Sequence, residues 1–543
     1  MMLLMSTLTL DHDTMAGSTG VSYKQQPPDG EWDAIAIGSG IGGLSCAALL
    51  ARRAGKRVLV LERHYTAGGF THVFHRPGYE WDVGVHYVGE MGAGCGMRAL
   101  FDEITEGRLK WNAMPEVYDR IRIADRRYDF VRGAERFTER MREYFPQEGA
   151  AIERYMAQVH GAARASKSFF AEKALPAALA DIAGRLLRRR FLSYAGRTTA
   201  ETLARLTGNR ELMAVLTGHW GNYGLPPGQS SFGMHAVIAE HYLEGAFYPV
   251  GGASRIAASI APVIERAGGR IVVGAEVEQI LLDGNRAVGV RMADGRELRA
   301  PLILSDAGAW NTYARLLPPD APGRAQRLAE IERLPNSMGH VCLYAGLRHA
   351  SGEPEFGDTN LWIYPSADHD GNLARYAADP EQPFPGLFIS FPSAKDPDFA
   401  RRHPGRATIE VVTLAPYGWF ARWADTRWKR RGADYDELKR RFAERMRAEL
   451  ERHVPAVRGK IDYCELSTPL STSHFANSHQ GQVYGPAATP ERFRARTLSP
   501  RTPVRNLYLT GADAAVLGVV GALAGGALVA SAVLRRNVMA GRG

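Results

Sequence analysis

Three glycines spaced Gly38-x-Gly40-x-x-Gly43, with the acid Glu62 downstream, form the most explicit chemical pattern in the chain. The first glycine permits a tight turn. The second lets a phosphate approach the main chain, and the third lets a helix lie close to a strand. N–H groups at the start of that helix, together with its dipole, favour an anion. A carboxylate at Glu62 suits a ribose hydroxyl. The chemistry implied is the binding of a dinucleotide. Three elements must hold these residues: "AIAIG" reads as a buried strand, "GLSCAALLARRAG" as a helix ending at Gly55, and "RVLVLE" as a second buried strand. That order is a βαβ unit, which a chance glycine turn would not supply.

After Glu62 comes a second glycine pair, Gly68-Gly69. The combination resembles the extended motif of the large FAD-dependent family that includes amine oxidases and phytoene desaturases. The resemblance implies FAD, with Gly38, Ser39, Gly40, Gly42, Gly43, Glu62, Arg63, Gly68 and Gly69 around it. It also implies two later contributions. Val277, in the strand ladder from Gly268 to Gly308, is expected beside the adenine. Gly511, Asp513 and Gly521, near the C-terminus, are expected beside the ribityl chain and the flavin ring. The expected fold is α/β: a Rossmann-type, amine-oxidase-like FAD-binding domain with a discontinuous α+β substrate-binding domain. The boundaries read from the sequence are 32–115, 225–310 and 480–543 for the first, and 116–224 and 311–479 for the second. Residues 1–31 lack a basic n-region and a sustained apolar stretch; they read as a flexible tail and not as a signal peptide.

The run after Gly69, "FTHVFHRPGYEWDVGVHYVGE", is similar to the retinol saturase, carotenoid isomerase and bacterial phytoene desaturase group, with the retinol-saturase-like branch nearest. Activity on carbon–carbon bonds of a polyene or unsaturated lipid, such as a carotenoid, retinoid or fatty acyl chain, is what this implies. A redox-neutral isomerase using reduced FAD and a non-enzymatic lipid escort of the same fold are the alternatives. Flavin chemistry asks the protein for position, dryness and one acid or base. His86 and Tyr87, between the flavin motifs, are the candidates for that role, while Asp82 reads as a residue tying down its own loop. His219, His235, His241 and His474 read as satisfied polar residues; their spacing gives no metal triad, so no metal is expected. There is no G-x-S-x-G elbow and no cysteine with an activating partner. No second glycine–acid unit for a nicotinamide cofactor is visible, leaving the electron partner open among oxygen, a quinone and a soluble carrier.

Composition sets outer bounds. The chain has 543 residues, a formal charge of +9 and four scattered cysteines, Cys46, Cys95, Cys342 and Cys464. Neither a disulfide framework nor a zinc site follows, and a reducing cytoplasmic setting is the default expectation. The positive charge is mostly arginine spread along the chain without interleaved aromatics, which argues against nucleic acid. "AAVLGVVGALAGGALVASAVL", Ala514 to Leu534, is long and uncharged enough for a membrane span, yet its glycines favour a helix packed inside the flavin domain. Two basic stretches, Asp181 to Arg197 and Trp419 to Pro455, fit either solvated amphipathic helices or a peripheral contact with the inner face of an anionic membrane.

Overall fold

A computed structural model describes residues 18–348 and 357–539. Its centre is a six-stranded parallel sheet. Across the sheet the strands run Val21–Ser22, Arg270–Val273, Val58–Glu62, Ala34–Ile37, Ile303–Ser305 and Leu507–Leu509. The three strands at its heart, Val58–Glu62, Ala34–Ile37 and Ile303–Ser305, are almost wholly apolar because both faces are covered. On one face lie the helices Ile41–Ala54, Arg255–Arg266 and Val519–Leu534. On the other lies an antiparallel ladder, Val277–Asp283, Arg286–Met292 and Glu297–Arg299.

A second sheet has seven strands, in the order Ile461–Ser467, Gly339–Arg348, Arg406–Ala415, Leu387–Ser390, Asn360–Tyr364, Val117–Ile123 and Arg126–Val131. Its pairings are antiparallel except that between Asn360–Tyr364 and Val117–Ile123. The helix Ala433–His453 closes one face. The helices Gly149–Glu172 and Phe232–Leu243 close the other, over an aromatic core that includes Tyr118, Phe130, Tyr155 and Trp220.

Two sequence expectations change. The tail expected over 1–31 contains a strand: Val21–Ser22 adds to the parallel sheet, and the Thr19 N–H donates to Thr66 Oγ1 at 3.2 Å. Residues 1–17 lie outside the described residues. A two-residue strand has too few positions to show periodicity, so the sequence did not announce it. The helix Phe232–Leu243, expected with the flavin domain, packs on Gly149–Glu172 and Ala177–Ala195 instead. In the stretch Trp419 to Pro455, Trp423 is buried, while the half-buried Trp419 packs on Tyr376 and Phe442 and the half-buried Trp428 stacks on His474.

The segment Ala514 to Leu534 becomes the helix Val519–Leu534, laid against Ile41–Ala54. Its glycines make the contact possible, since a Cβ at Gly526 would fall 2.5 Å from the Gly42 carbonyl oxygen. Among the described residues no helix is long and apolar enough to cross a membrane.

Candidate active site

The glycine loop joins the strand Ala34–Ile37 to the helix Ile41–Ala54, whose N-cap, Gly40, has no side chain to offer. Each expected glycine meets a close neighbour. A Cβ at Gly43 would fall 2.5 Å from the Gly38 carbonyl oxygen, and one at Gly42 would fall 2.5 Å from Gly511 N. The second glycine pair closes over the first: Gly69, in the left-handed region at φ 55°, brings its would-be Cβ to 3.0 Å from Gly40 Cα. Gly68 N–H donates to the Ser39 carbonyl at 3.1 Å.

Glu62 ends its strand and pins the loop. Its Oε2 accepts the Ser39 N–H at 2.9 Å and the Ser39 hydroxyl at 2.6 Å, and its Oε1 accepts the His64 N–H at 2.7 Å. Val277 lies nearby, two residues beyond Ala275, whose N–H donates to the Glu62 carbonyl at 2.8 Å. Arg63 points elsewhere, donating to the His474 carbonyl at 2.5 Å. Asp513 accepts the Ala309 N–H at 2.7 Å, and the buried Arg492 stands 4.0 Å from it.

Two residues here escaped the sequence reading. Asp306, from "ILSDAG", puts its carboxyl against Gly40, Gly42, Gly43 and Gly511. Burial pushes it up to about 7, Glu62 and Asp513 add to that, and the N–H groups of Gly43 and Gly40 pull the other way. The available signal was an acid at the end of an apolar strand. His64 is the other: both ring nitrogens are buried without a partner, and burial holds it down to about 3. A carboxylate, unpartnered imidazole nitrogens and an uncapped helix N-terminus are the donors and acceptors a dinucleotide needs, so these residues fit FAD.

A cavity of about 1810 Å³ runs past the start of the C-terminal helix, lined there by Val516, Leu517, Gly518 and Gly521. His86 and Tyr87 also line it. The Tyr87 hydroxyl donates to Asp119 Oδ2 at 2.8 Å and accepts from Asn222 Nδ2 at 3.1 Å. Burial holds that phenol well above its usual range, and Asp119 adds to the effect. Asp119 is in turn 2.7 Å from His219 Nε2. Tyr87 is thus held by a buried network, whereas the His86 side chain remains 23% exposed. Asp82 reaches beyond its own loop to accept from the Tyr248 hydroxyl and the Ala253 N–H. Two of the other histidines are satisfied, His235 between the hydroxyls of Tyr155 and Tyr223 and His241 between Gly89 N–H and Glu90, whereas His219 Nε2 forms no full hydrogen bond and His474 stacks on Trp428.

The sequence profile of the flavin containing amine oxidoreductases matches residues 41–534. The chain belongs to that family. An all-trans-retinol 13,14-reductase from Danio rerio is 36% identical over 527 residues, 93% of this chain and 86% of the relative. A prolycopene isomerase from an Oncidium hybrid cultivar is 25% identical, over 84% of this chain and 75% of the relative. In fold, the chain is similar to a solved oxidoreductase from Methanosarcina mazei, at a TM-score of 0.60 and 18% identity, covering 93% of this chain and all of that one. This flavin oxidoreductase therefore takes FAD, and its parallel sheet is the Rossmann-type layer expected from the glycine motif.

Proposed function

We propose that the protein reduces a carbon–carbon double bond of a retinoid or a similar long polyene. The supporting observation is the cavity: beside the start of the C-terminal helix its walls carry Phe170, Met234, Val237, Ile238 and Leu517, and it reaches His86 and Tyr87. An apolar chain gains about 25 cal/mol per Å² on leaving water for such walls. FAD bound in the cradle supplies hydride chemistry. The protein's part is to exclude water, hold the polyene against the ring and provide a proton from His86, with Tyr87 fixing one wall. The reading is also supported by the retinol reductase similarity along most of the chain.

The substrate reaches the cavity from a membrane surface. The helix Ala177–Ala195 exposes Leu179, Ile182 and Leu186 at 51%, 81% and 74%, beside Arg185, Arg188, Arg189 and Arg190. Leu175 and Pro176, which lead into it, line the cavity. An apolar stripe flanked by arginines fits an anionic lipid surface.

The test is anaerobic. All-trans-retinol is added to protein whose flavin has been photoreduced. Flavin reoxidation with a product two hydrogens heavier supports the proposal. Unchanged flavin with a shifted retention time at constant mass means an isomerase, and no change in either means another substrate class.

A further inference from the structure

Behind His86 lies a buried polar cluster that FAD binding does not require. Glu410, from the strand Arg406–Ala415, is wholly buried, and its Oε2 stands 2.8 Å from His86 Nδ1. The contact is short but bent, because at that distance neither atom meets the angle of a formed hydrogen bond. The Lys395 ammonium, also wholly buried, donates to the His86 carbonyl at 2.9 Å and to Ser390 Oγ at 2.7 Å. Asp82 is the second carboxyl of the cluster. His340, Cys342, Tyr344 and Tyr248 also face the pair, and Asp119 acts on Lys395 from further off. Of these groups His86 is the one that meets both Glu410 and the cavity.

We propose that Glu410 is a positioning residue that stores the proton for the reaction and delivers it through His86. Glu410 is neutral, its O–H faces Nδ1, and the ring's own hydrogen therefore stands on Nε2, toward the cavity. The proposal rests on the reductive reading above.

The electrostatics agree with the geometry. Burial raises Glu410 to about 8 against the pull of Lys395. Burial, helped by Lys395, holds His86 down to about 3, so the imidazole is neutral. A buried carboxylate without donors is costly, and one ammonium offsets one negative charge. Burial and the facing Glu410 hold Asp82 well above its usual range too, so the two carboxyls share that one charge, and the Tyr248 hydroxyl and Ala253 N–H donating to Asp82 favour its resting there.

The step balances. One carbon of the double bond gains a hydride from the reduced flavin. The other takes the Nε2 proton, so that an N–H bond breaks as a C–H bond forms. The Glu410 O–H proton passes to Nδ1, the ring stays neutral, and Glu410 is left as a carboxylate that shares the Lys395 ammonium with Asp82, a costly state that favours prompt reprotonation. A proton from bulk solvent, relayed by water in the cavity, then returns to Nε2, and the Nδ1 proton goes back to Glu410.

The experiment uses holoenzyme with oxidised flavin. Imidazole ¹⁵N spectra are expected to show the Nε2–H tautomer at His86. Infrared spectra are expected to show a protonated carboxyl band that is absent in Glu410→Gln and fades with a midpoint near 8. In Glu410→Gln the amide still donates to Nδ1 but cannot release a proton. Polyene-driven flavin reoxidation is then expected to fall about 10²-fold or more with KM unchanged. An Nδ1–H tautomer, a band that survives in Glu410→Gln, or a rate within a factor of about three would overturn the proposal. Flavin absorbance reports whether the variant folds; if it does not, His86→Gln serves, and the band must shift without disappearing. Should the wild type reduce no polyene, the reductive reading fails, and the tautomer and band still decide whether Glu410 holds the proton.

Discussion

Gly526→Ala tests whether the cofactor cradle depends on the close seating of the C-terminal helix. The added Cβ would land on Ser45 Oγ, 2.5 Å from the Gly42 carbonyl oxygen and 2.9 Å from Cys46 N. Ser45 can rotate away; the two backbone atoms cannot. An ordinary carbon–oxygen contact needs about 3.2 Å, so the helices must part by about 0.7 Å in an interior with no slack. Overpacking of this kind costs about 1–3 kcal/mol. One helix opens with the glycine loop and the other with Gly518 and Gly521 of the cavity wall, so the strain falls on both ends of the FAD site. FAD dissociation is expected to rise about 5- to 150-fold, measured by flavin fluorescence after dilution, with a lower thermal midpoint. Gly96→Ala is the control. It also adds a methyl to a helix, but to open space, and is expected to be neutral or slightly stabilising. The reasoning is refuted if Gly526→Ala keeps wild-type flavin affinity, or if Gly96→Ala loses as much.

Glu62→Gln must turn an NH₂ toward either Ser39 or the His64 N–H, both of them donors. The loss of about 1–3 kcal/mol should weaken FAD binding about 10-fold or more, and an unchanged titration would contradict the role given to Glu62. The stability of Glu410→Gln relative to wild type should depend on pH. The folded chain keeps the Glu410 proton up to about 8, whereas an unfolded glutamate releases it near 4.5. Wild type therefore loses up to about 1.4 kcal/mol per unit as pH rises between those values, and the glutamine variant lacks that slope. Denaturant midpoints of both proteins at pH 5.5 and 7.5 read the difference, and parallel curves would remove the raised carboxyl. Ile182→Glu with Leu186→Glu changes exposed side chains, so the fold should stand while binding to anionic vesicles drops about 10-fold or more. Sedimentation with vesicles measures this, and a wild type that never pellets would refute the membrane route.

What the sequence revealed was local. Gly38, Gly40, Gly43 and Glu62 belong to one βαβ unit, so their order along the chain already states their arrangement in space. The packed character of Ala514 to Leu534 was readable for a similar reason, since its glycines mark a face that must meet another backbone. Asp306 and Glu410 were not readable, because their meaning lies in sheet register. Asp306 reaches the glycine loop only because Ile303–Ser305 pairs with Ala34–Ile37. Glu410 reaches His86 only because the Arg406–Ala415 strand carries it beneath a loop more than 300 residues earlier. The one local hint was a single acid inside the apolar run "ATIEVVTLA".

That single acid bears on the whole site. Replacing a buried charged cluster by apolar residues of similar volume is often neutral or stabilising, by about 1–4 kcal/mol. Glu410, Lys395 and Asp82 are therefore poor choices if the second sheet is only a scaffold. They sit where Leu387–Ser390 and Arg406–Ala415 pass under His86, and Phe388 from the same sheet packs edge-on against that ring at 5.0 Å. Tyr87 next door is locked by Asp119 and Asn222, and has no freedom to give up its proton. The wall of the cavity thus divides its labour between neighbouring residues: one side chain fixed by its hydrogen bonds, the other backed by a carboxyl that can change its protonation.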